Sequence, residues 1–193
     1  MRICLYGAAS PNIDPIHIAA TEELGREMAR RGHSLTFGGG RHGLMGAAAR
    51  GVHECGGSVL GVVPRFFAEN DIESASELTD QIIETDTMRQ RKQVMEENAD
   101  AFLMVPGGIG TYEEFFEILT AKQLCRHNKP IAVYNILGYY EPLQRMMDEG
   151  IRQGFIKEYV LDLYMVSDDP QTLLAYMEGP QAPAHSLKEL KDG

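Results

Sequence analysis

Short apolar runs, each followed by a glycine-containing turn and then by residues with helical apolar spacing, repeat from one end of the chain to the other. That alternation marks strand, loop and helix in a parallel α/β sheet, whose strands are covered on both faces and therefore read as nearly unbroken apolar runs. It places strands at Ile3–Tyr6, Leu35–Phe37, Val59–Val63, Gln81–Glu84, Ala101–Val105, Ile131–Tyr134 and Tyr164–Val166, the fourth being short and polar. The first helix opens at Pro15, whose fixed φ suits a first turn, and closes near Gly32 after the Arg30–Arg31 pair that complements its C-terminal dipole. Further helices are expected from Gly43, Asp86, Thr111 and Tyr139, and a last one behind Asp168 and Asp169 with Pro170 in its first position. The expected fold class is α/β, a single-domain Rossmann-like parallel sheet with helices on both faces, over residues 1–178. Residues 179–193 are polar and Pro-containing, and are expected to form a flexible tail.

In such sheets a ligand sits beyond the carboxyl ends of the strands, where the amides of the following helices point outward. Two loops there are rich in glycine. In the first, GGGRHGLMG from Gly38 to Gly46, residues Gly38, Gly40 and Gly43 match the spacing of a dinucleotide fingerprint. Such a fingerprint follows the first strand and is paired with an acidic residue at the end of the next, whereas here the next strand ends Val62-Val63-Pro64-Arg65. The glycines serve either a tight turn with close helix–sheet packing or a ligand. The second, PGGIGTYEE from Pro106 to Glu114, lies between the apolar AFLMV and the helical FFEILTAKQL. Gly107, Gly108 and Gly110 let the main chain approach an anion, and the Thr111 hydroxyl adds a donor. No lysine follows as in a P-loop, which argues against triphosphate chemistry and for a monophosphate.

Thr111 and Glu114 also form T-x-x-E, so Glu114 is either half of a capping box or a reactive carboxylate beside the cradle. The segment TMRQRKQVMEE puts Arg89, Arg91 and Lys92 in the first turns of a helix, where cations oppose the dipole unless an anion offsets them. His17, His33, His42, His53, His127 and His185 show no metal-ligand spacing, and no metal or cofactor is expected. There is no G-x-S-x-G elbow, and Ser10 has no evident base.

Composition narrows the partners. A formal net charge of −10 offers no field for a polyanion, so a small ligand held by local positive groups is expected rather than nucleic acid. No segment has the roughly 20 apolar residues needed to span a bilayer, and the start has no leader pattern, so no membrane association and a cytoplasmic location are expected. Cys4, Cys55 and Cys125 are odd in number and far apart, which suggests reduced thiols.

GGGRHGLMG, MRQRK and PGGIGTYEE, in this order and spacing, together resemble the Lonely Guy family, the cytokinin riboside 5′-monophosphate phosphoribohydrolases. The last motif matches the family's PGGxGTxxE in full, and the resemblance runs from the first strand to about Phe155, including GYYEPL at Gly138 to Leu143. The family's MHxRK reads Met88-Arg89-Gln90-Arg91-Lys92, with Arg89 in place of the histidine. Members are often called possible lysine decarboxylases, but nothing here suggests the Schiff-base lysine and large scaffold of a pyridoxal phosphate enzyme.

The resemblance implies a hydrolase, or N-glycosidase, that splits AMP or an N6-modified AMP into free base and ribose 5-phosphate. Glu114 would be the essential carboxylate and Arg91 its catalytic partner. It would place Gly39, Gly40, Met88, Lys92, Gly107, Gly108, Ile109, Gly110, Thr111, Glu113 and Thr120 on the nucleotide, with an acidic contribution from Asp71 or Glu73. It also implies a homodimer. A non-catalytic nucleotide-binding or carrier protein of the same fold is the alternative, and a dinucleotide oxidoreductase resting on the Gly38 loop alone is a third.

Overall fold

The computed structural model describes residues 1–69 and 77–181. Seven strands form one parallel sheet: β1 (Arg2–Tyr6), β2 (Ser34–Phe37), β3 (Val59–Pro64), β4 (Gln81–Thr85), β5 (Ala101–Met104), β6 (Ile131–Tyr134) and β7 (Met165–Ser167). Their order is β4-β3-β2-β1-β5-β6-β7, so the chain winds outward one way from β1 and the other way from β5. The two halves meet where Ile3 pairs with Ala101 and Tyr6 with Met104. That junction is the switch point at which such sheets open a crevice.

Side-chain alternation along the central strands fills two cores. Ile3, Leu5, Leu103, Val105 and Ala132 pack on one face with α1 (Pro15–Arg30), α2 (Gly43–Glu54) and α7 (Pro170–Glu178). Cys4, Tyr6, Phe102, Met104, Ile131 and Val133 pack on the other with α4 (Met88–Glu97), α5 (Ile109–Gln123) and α6 (Glu141–Arg152). Helices on both faces were expected, and the seven strands fall within about a residue of the expected positions. The polar fourth run is β4, an edge strand whose side chains are largely exposed. The short helix α3 (Arg65–Glu69), between β3 and β4, had not been anticipated from the sequence.

Helix starts follow their caps. Asp14 accepts from the Ile16 amide at 3.0 Å and Asp169 from the Gln171 and Thr172 amides, each ahead of a proline in the first turn. The expected start of a helix at Asp86 shifts to Met88, because the Thr87 hydroxyl caps by accepting from the Gln90 amide at 3.1 Å. The Gln90 side chain returns to accept from the Asp86 amide at 2.9 Å. The expected start at Thr111 moves back to Ile109, and that at Tyr139 moves on to Glu141 after a 3-10 turn at Ile136–Gly138. α1 and α2 touch closely through small residues: a Cβ on Gly51 would lie 2.0 Å from the Glu22 carbonyl oxygen. Most of the expected tail, residues 182–193, lies outside the described residues.

Candidate functional site

The switch point carries a cleft of about 610 Å³. Its floor is the β1–α1 loop, Gly7 to Ala9 with Pro11, and its walls come from His42 and Met45, from Phe67, from Met88 and Arg91, and from the start of α5. Backbone hydrogen bonds join three loops. The Ala8 amide donates to the Pro106 carbonyl at 3.1 Å, and the Ala8 carbonyl accepts from the Leu44 and Met45 amides at 2.8 and 3.4 Å. The first amides of α2 are thereby consumed by protein.

α5 begins differently. Its N-cap is Gly108, which has no side chain to cap with, and the Tyr112 amide returns to the Gly108 carbonyl at 3.1 Å. The first amides of a helix have no partner within it, so those at the start of α5 are presented at the cleft with the positive end of the dipole. A Cβ on Gly108 or Gly110 would meet nothing within 4 Å, whereas one on Gly107 would lie 2.1 Å from Thr111 Oγ1. Gly107 thus lets Thr111 fold under the loop, while Gly108 and Gly110 leave the space above it open. Thr111 lies inside the first turn rather than at the N-cap, so the T-x-x-E capping box does not form. Glu114 is freed from capping and lines the cleft.

Arg91 is buried, with 6% of its surface exposed. It donates from Nε to the Val62 carbonyl at 3.2 Å, and its guanidinium stands 5.6 Å from the centroid of the Phe67 ring. Gly38 makes room for it, since a Cβ there would lie 1.7 Å from Nη2. Among the described residues no carboxylate lies within ion-pair distance of Arg91. Burial pushes the Glu114 carboxyl up to about 7, against the pull of the Arg91 charge. Two opposite charges therefore face one cleft without neutralising each other directly.

The remaining sequence-predicted residues divide. Met88, Gly108, Gly110, Thr111, Glu113, Glu114 and Arg91 share the cleft. Lys92 is held by Glu113 and, at 2.7 Å, by Glu117, so the anion expected to offset it is already supplied by α5. Gly39 and Gly40 are buried rather than lining the cleft; Gly39 has φ +84° and would place a Cβ 2.3 Å from Val63 Cγ2. Ile109 is 85% exposed, and Thr120 lines a separate cavity with Phe116, Leu124 and Phe155. Asp71 and Glu73 fall outside the described residues. Sequence reasoning missed the β1–α1 loop, His42, Met45 and Phe67. Gly7 directly after the first apolar run was the available signal for the loop; Phe67 offered none, because its role depends on where Arg91 arrives.

Residues 45–177 match the profile of a family described as possible lysine decarboxylase. The chain is 34% identical over 190 residues to a rice (Oryza sativa subsp. japonica) protein named probable cytokinin riboside 5′-monophosphate phosphoribohydrolase LOGL5, covering 98% of this chain and 76% of that one. It is 36% identical over 178 residues to the Arabidopsis thaliana cytokinin riboside 5′-monophosphate phosphoribohydrolase LOG2, covering 92% and 82%. Among solved structures it shares its fold with the molybdenum cofactor carrier protein of Chlamydomonas reinhardtii, at TM-score 0.66 and 23% identity, over 92% of this chain and 95% of that one. The molybdenum cofactor binding protein of Rippkaea orientalis is equally similar in fold, at TM-score 0.66 and 18% identity, over 92% and 93%.

Proposed function

The chain belongs to this Lonely Guy family of cytokinin riboside 5′-monophosphate phosphoribohydrolases, the one described as possible lysine decarboxylase, and from that premise we propose that it hydrolyses the N-glycosidic bond of an AMP-like nucleoside 5′-monophosphate. The observation that carries the reading is the pairing across one cleft of Arg91, buried with no carboxylate partner among the described residues, with Glu114, a carboxyl raised to about 7 by burial beside the open start of α5. No lysine lines this cleft among the described residues, and Lys92 is engaged by two glutamates, which is poor support for Schiff-base chemistry.

The chemistry follows from charge. As the bond between C1′ and the base nitrogen breaks, its electron pair leaves with the base and positive charge develops on the ribose ring. A carboxylate near the sugar stabilises that cation, and a desolvated site makes the interaction stronger than it would be in water. Ionised Glu114 takes that role and orients a water toward C1′; the water oxygen bonds to C1′, its proton passes to the carboxylate, and the departing base nitrogen takes up a proton from solvent as Glu114 releases its own. Arg91 fixes the nucleotide and compensates the charge building on the departing base. The phosphate, bound at Gly108, Gly110 and Thr111, supplies binding energy away from the reacting centre. This unit is residues 1–178, acting as a homodimer in the cytoplasm.

The decisive test incubates the protein with AMP and with its N6-prenylated analogue, each beside the unphosphorylated nucleoside, and follows free base by chromatography. Release from the monophosphates alone is expected. Comparable release from adenosine would remove the phosphate from the argument, and AMP binding without release would establish the carrier alternative.

A further inference from the structure

Arg91 reaches the cleft through a seat made by four parts of the chain. Its Nε donates to the Val62 carbonyl of β3 at 3.2 Å, and its Nη2 occupies the space left by Gly38 after β2. Its Nη1 stands 3.8 Å from the Met88 sulfur of α4, and a thioether is a weak acceptor. The fourth contact is the Phe67 ring of α3, whose centroid lies 5.6 Å from the guanidinium carbon. The carbonyl anchors Nε alone, and a sulfur and a glycine give the terminal nitrogens little to hold. An aromatic face within about 6 Å attracts a cation, and more strongly where water is excluded, as it is from Arg91. The ring is therefore the contact that can set the tilt of the guanidinium plane.

α3 delivers that ring. Pro64 ends β3, and Arg65 directly after it pairs with Glu84 at 3.3 Å and Asp86 at 3.1 Å, joining the start of α3 to the chain at the end of β4. Phe66 stands edge-on to Phe67, with ring centroids 5.0 Å apart. Phe67 itself is half-buried and lines the cleft. A ring and a carboxylate differ in what they leave of the charge. A carboxylate in this place would hold Arg91 and cancel much of its field, whereas a π face attracts the guanidinium without a formal charge of its own. Arg91 has no carboxylate partner among the described residues, so its charge stays available to a ligand and to Glu114 across the cleft.

Resting on the nucleotide reading above, we propose that Phe67 is a positioning residue for Arg91: its ring face aims the guanidinium into the cleft and leaves the charge free for the nucleotide. Phe67 acts through Arg91, so its contribution to AMP binding exists only while Arg91 is present. The short helix α3 then has a function in the site, as the carrier of this ring.

The experiment is a double-mutant cycle, read by calorimetric titration of the full chain with AMP: native protein, Phe67→Leu, Arg91→Gln and the two changes combined, with Phe67→Tyr alongside. Leucine stays apolar and removes the π face, while tyrosine keeps it. Methionine, a more flexible ring-less replacement, carries the same comparison if the leucine chain does not fold. Phe67→Leu should bind AMP about tenfold more weakly, the scale of a desolvated cation–π contact, and Phe67→Tyr should recover most of that loss. In the Arg91→Gln background the leucine change should cost nothing further. A tenfold loss that persists there overturns the proposal, because Phe67 then touches the nucleotide itself, and so does native affinity in Phe67→Leu. The readout needs no turnover. The expected cycle in a protein that releases no base from AMP keeps the role of Phe67 and removes the hydrolase; release of base by Phe67→Leu with native affinity and kcat/KM does the reverse.

Discussion

The two glycine-rich loops look alike in sequence and do opposite things. In Gly38–Gly46 four of the glycines are filled by protein: Arg91 occupies the place of a Gly38 side chain, Val63 that of Gly39, the Ala8 carbonyl that of Gly43 and, from within the loop, the Arg41 carbonyl that of Gly46. Gly39 and Gly43 also have φ of +84° and +60°, a region where a Cβ is strained. In Pro106–Glu114 only Gly107 is filled, by Thr111, while Gly108 and Gly110 have nothing within 4 Å. The first loop spends its freedom on packing, and the second leaves open space at the cleft. Glycine content thus marks close approach, and the neighbours decide whether protein or ligand does the approaching.

The largest expected effect sharpens the assignment of chemistry to the open loop. Glu114→Gln should lower kcat by about 10²–10⁴-fold while AMP affinity stays within a few-fold, because shape is kept and charge is lost. Retained turnover would take Glu114 out of the reaction. Gly38→Ala tests the closed loop: its methyl group must displace Arg91, and since misplacing a catalytic group by about 1 Å costs about 10²-fold, kcat/KM should fall on that scale without any change to the open loop. A fully active Gly38→Ala protein would show that the seat of Arg91 does not matter.

The pH dependence follows from the Glu114 carboxyl at about 7. If the ionised form acts, kcat/KM should climb about tenfold per unit up to that pH and then level, and this limb should be missing from the residual activity of Glu114→Gln. Stability should run the other way. A carboxyl raised on folding binds its proton more readily in the native state, so its contribution is complete below the unfolded value and is lost as pH rises through about 7. Glu114→Gln should therefore gain on the order of 1 kcal/mol relative to the native protein between pH 5 and 8, read from denaturant midpoints. The smallest effects separate the loops directly. Gly46→Ala, 2.1 Å from a carbonyl oxygen, should cost about 1–3 kcal/mol, whereas Gly110→Ala in the open first turn of α5 should be neutral or gain about 0.5 kcal/mol while raising KM for AMP. Equal stability changes in the two would erase the distinction.

Much of this was written in the chain. The central strands are buried on both faces, so their apolar runs could be located without coordinates, and the starts of α1 and α7, each an aspartate followed by a proline, were legible because a cap is a local device. T-x-x-E at Thr111 looked equally local and failed, since helix α5 begins earlier, at a glycine; the cap with a glutamine behind it sits instead at Thr87 and Gln90. Charge shows the same boundary. The sequence placed Arg91 and Lys92 side by side, yet only packing buries one against Gly38 and Phe67 and hands the other to Glu113 and Glu117.

By itself, then, the sequence determined the elements, their alternation and the two loops that end on the same edge of the sheet, because these depend on residues close together along the chain. The tertiary structure decided the rest: which loop is filled and which is open, that the β1–α1 loop floors the cleft, and that Glu114 is held near neutrality. Each of these depends on distance and desolvation between residues far apart in sequence, which no local pattern records.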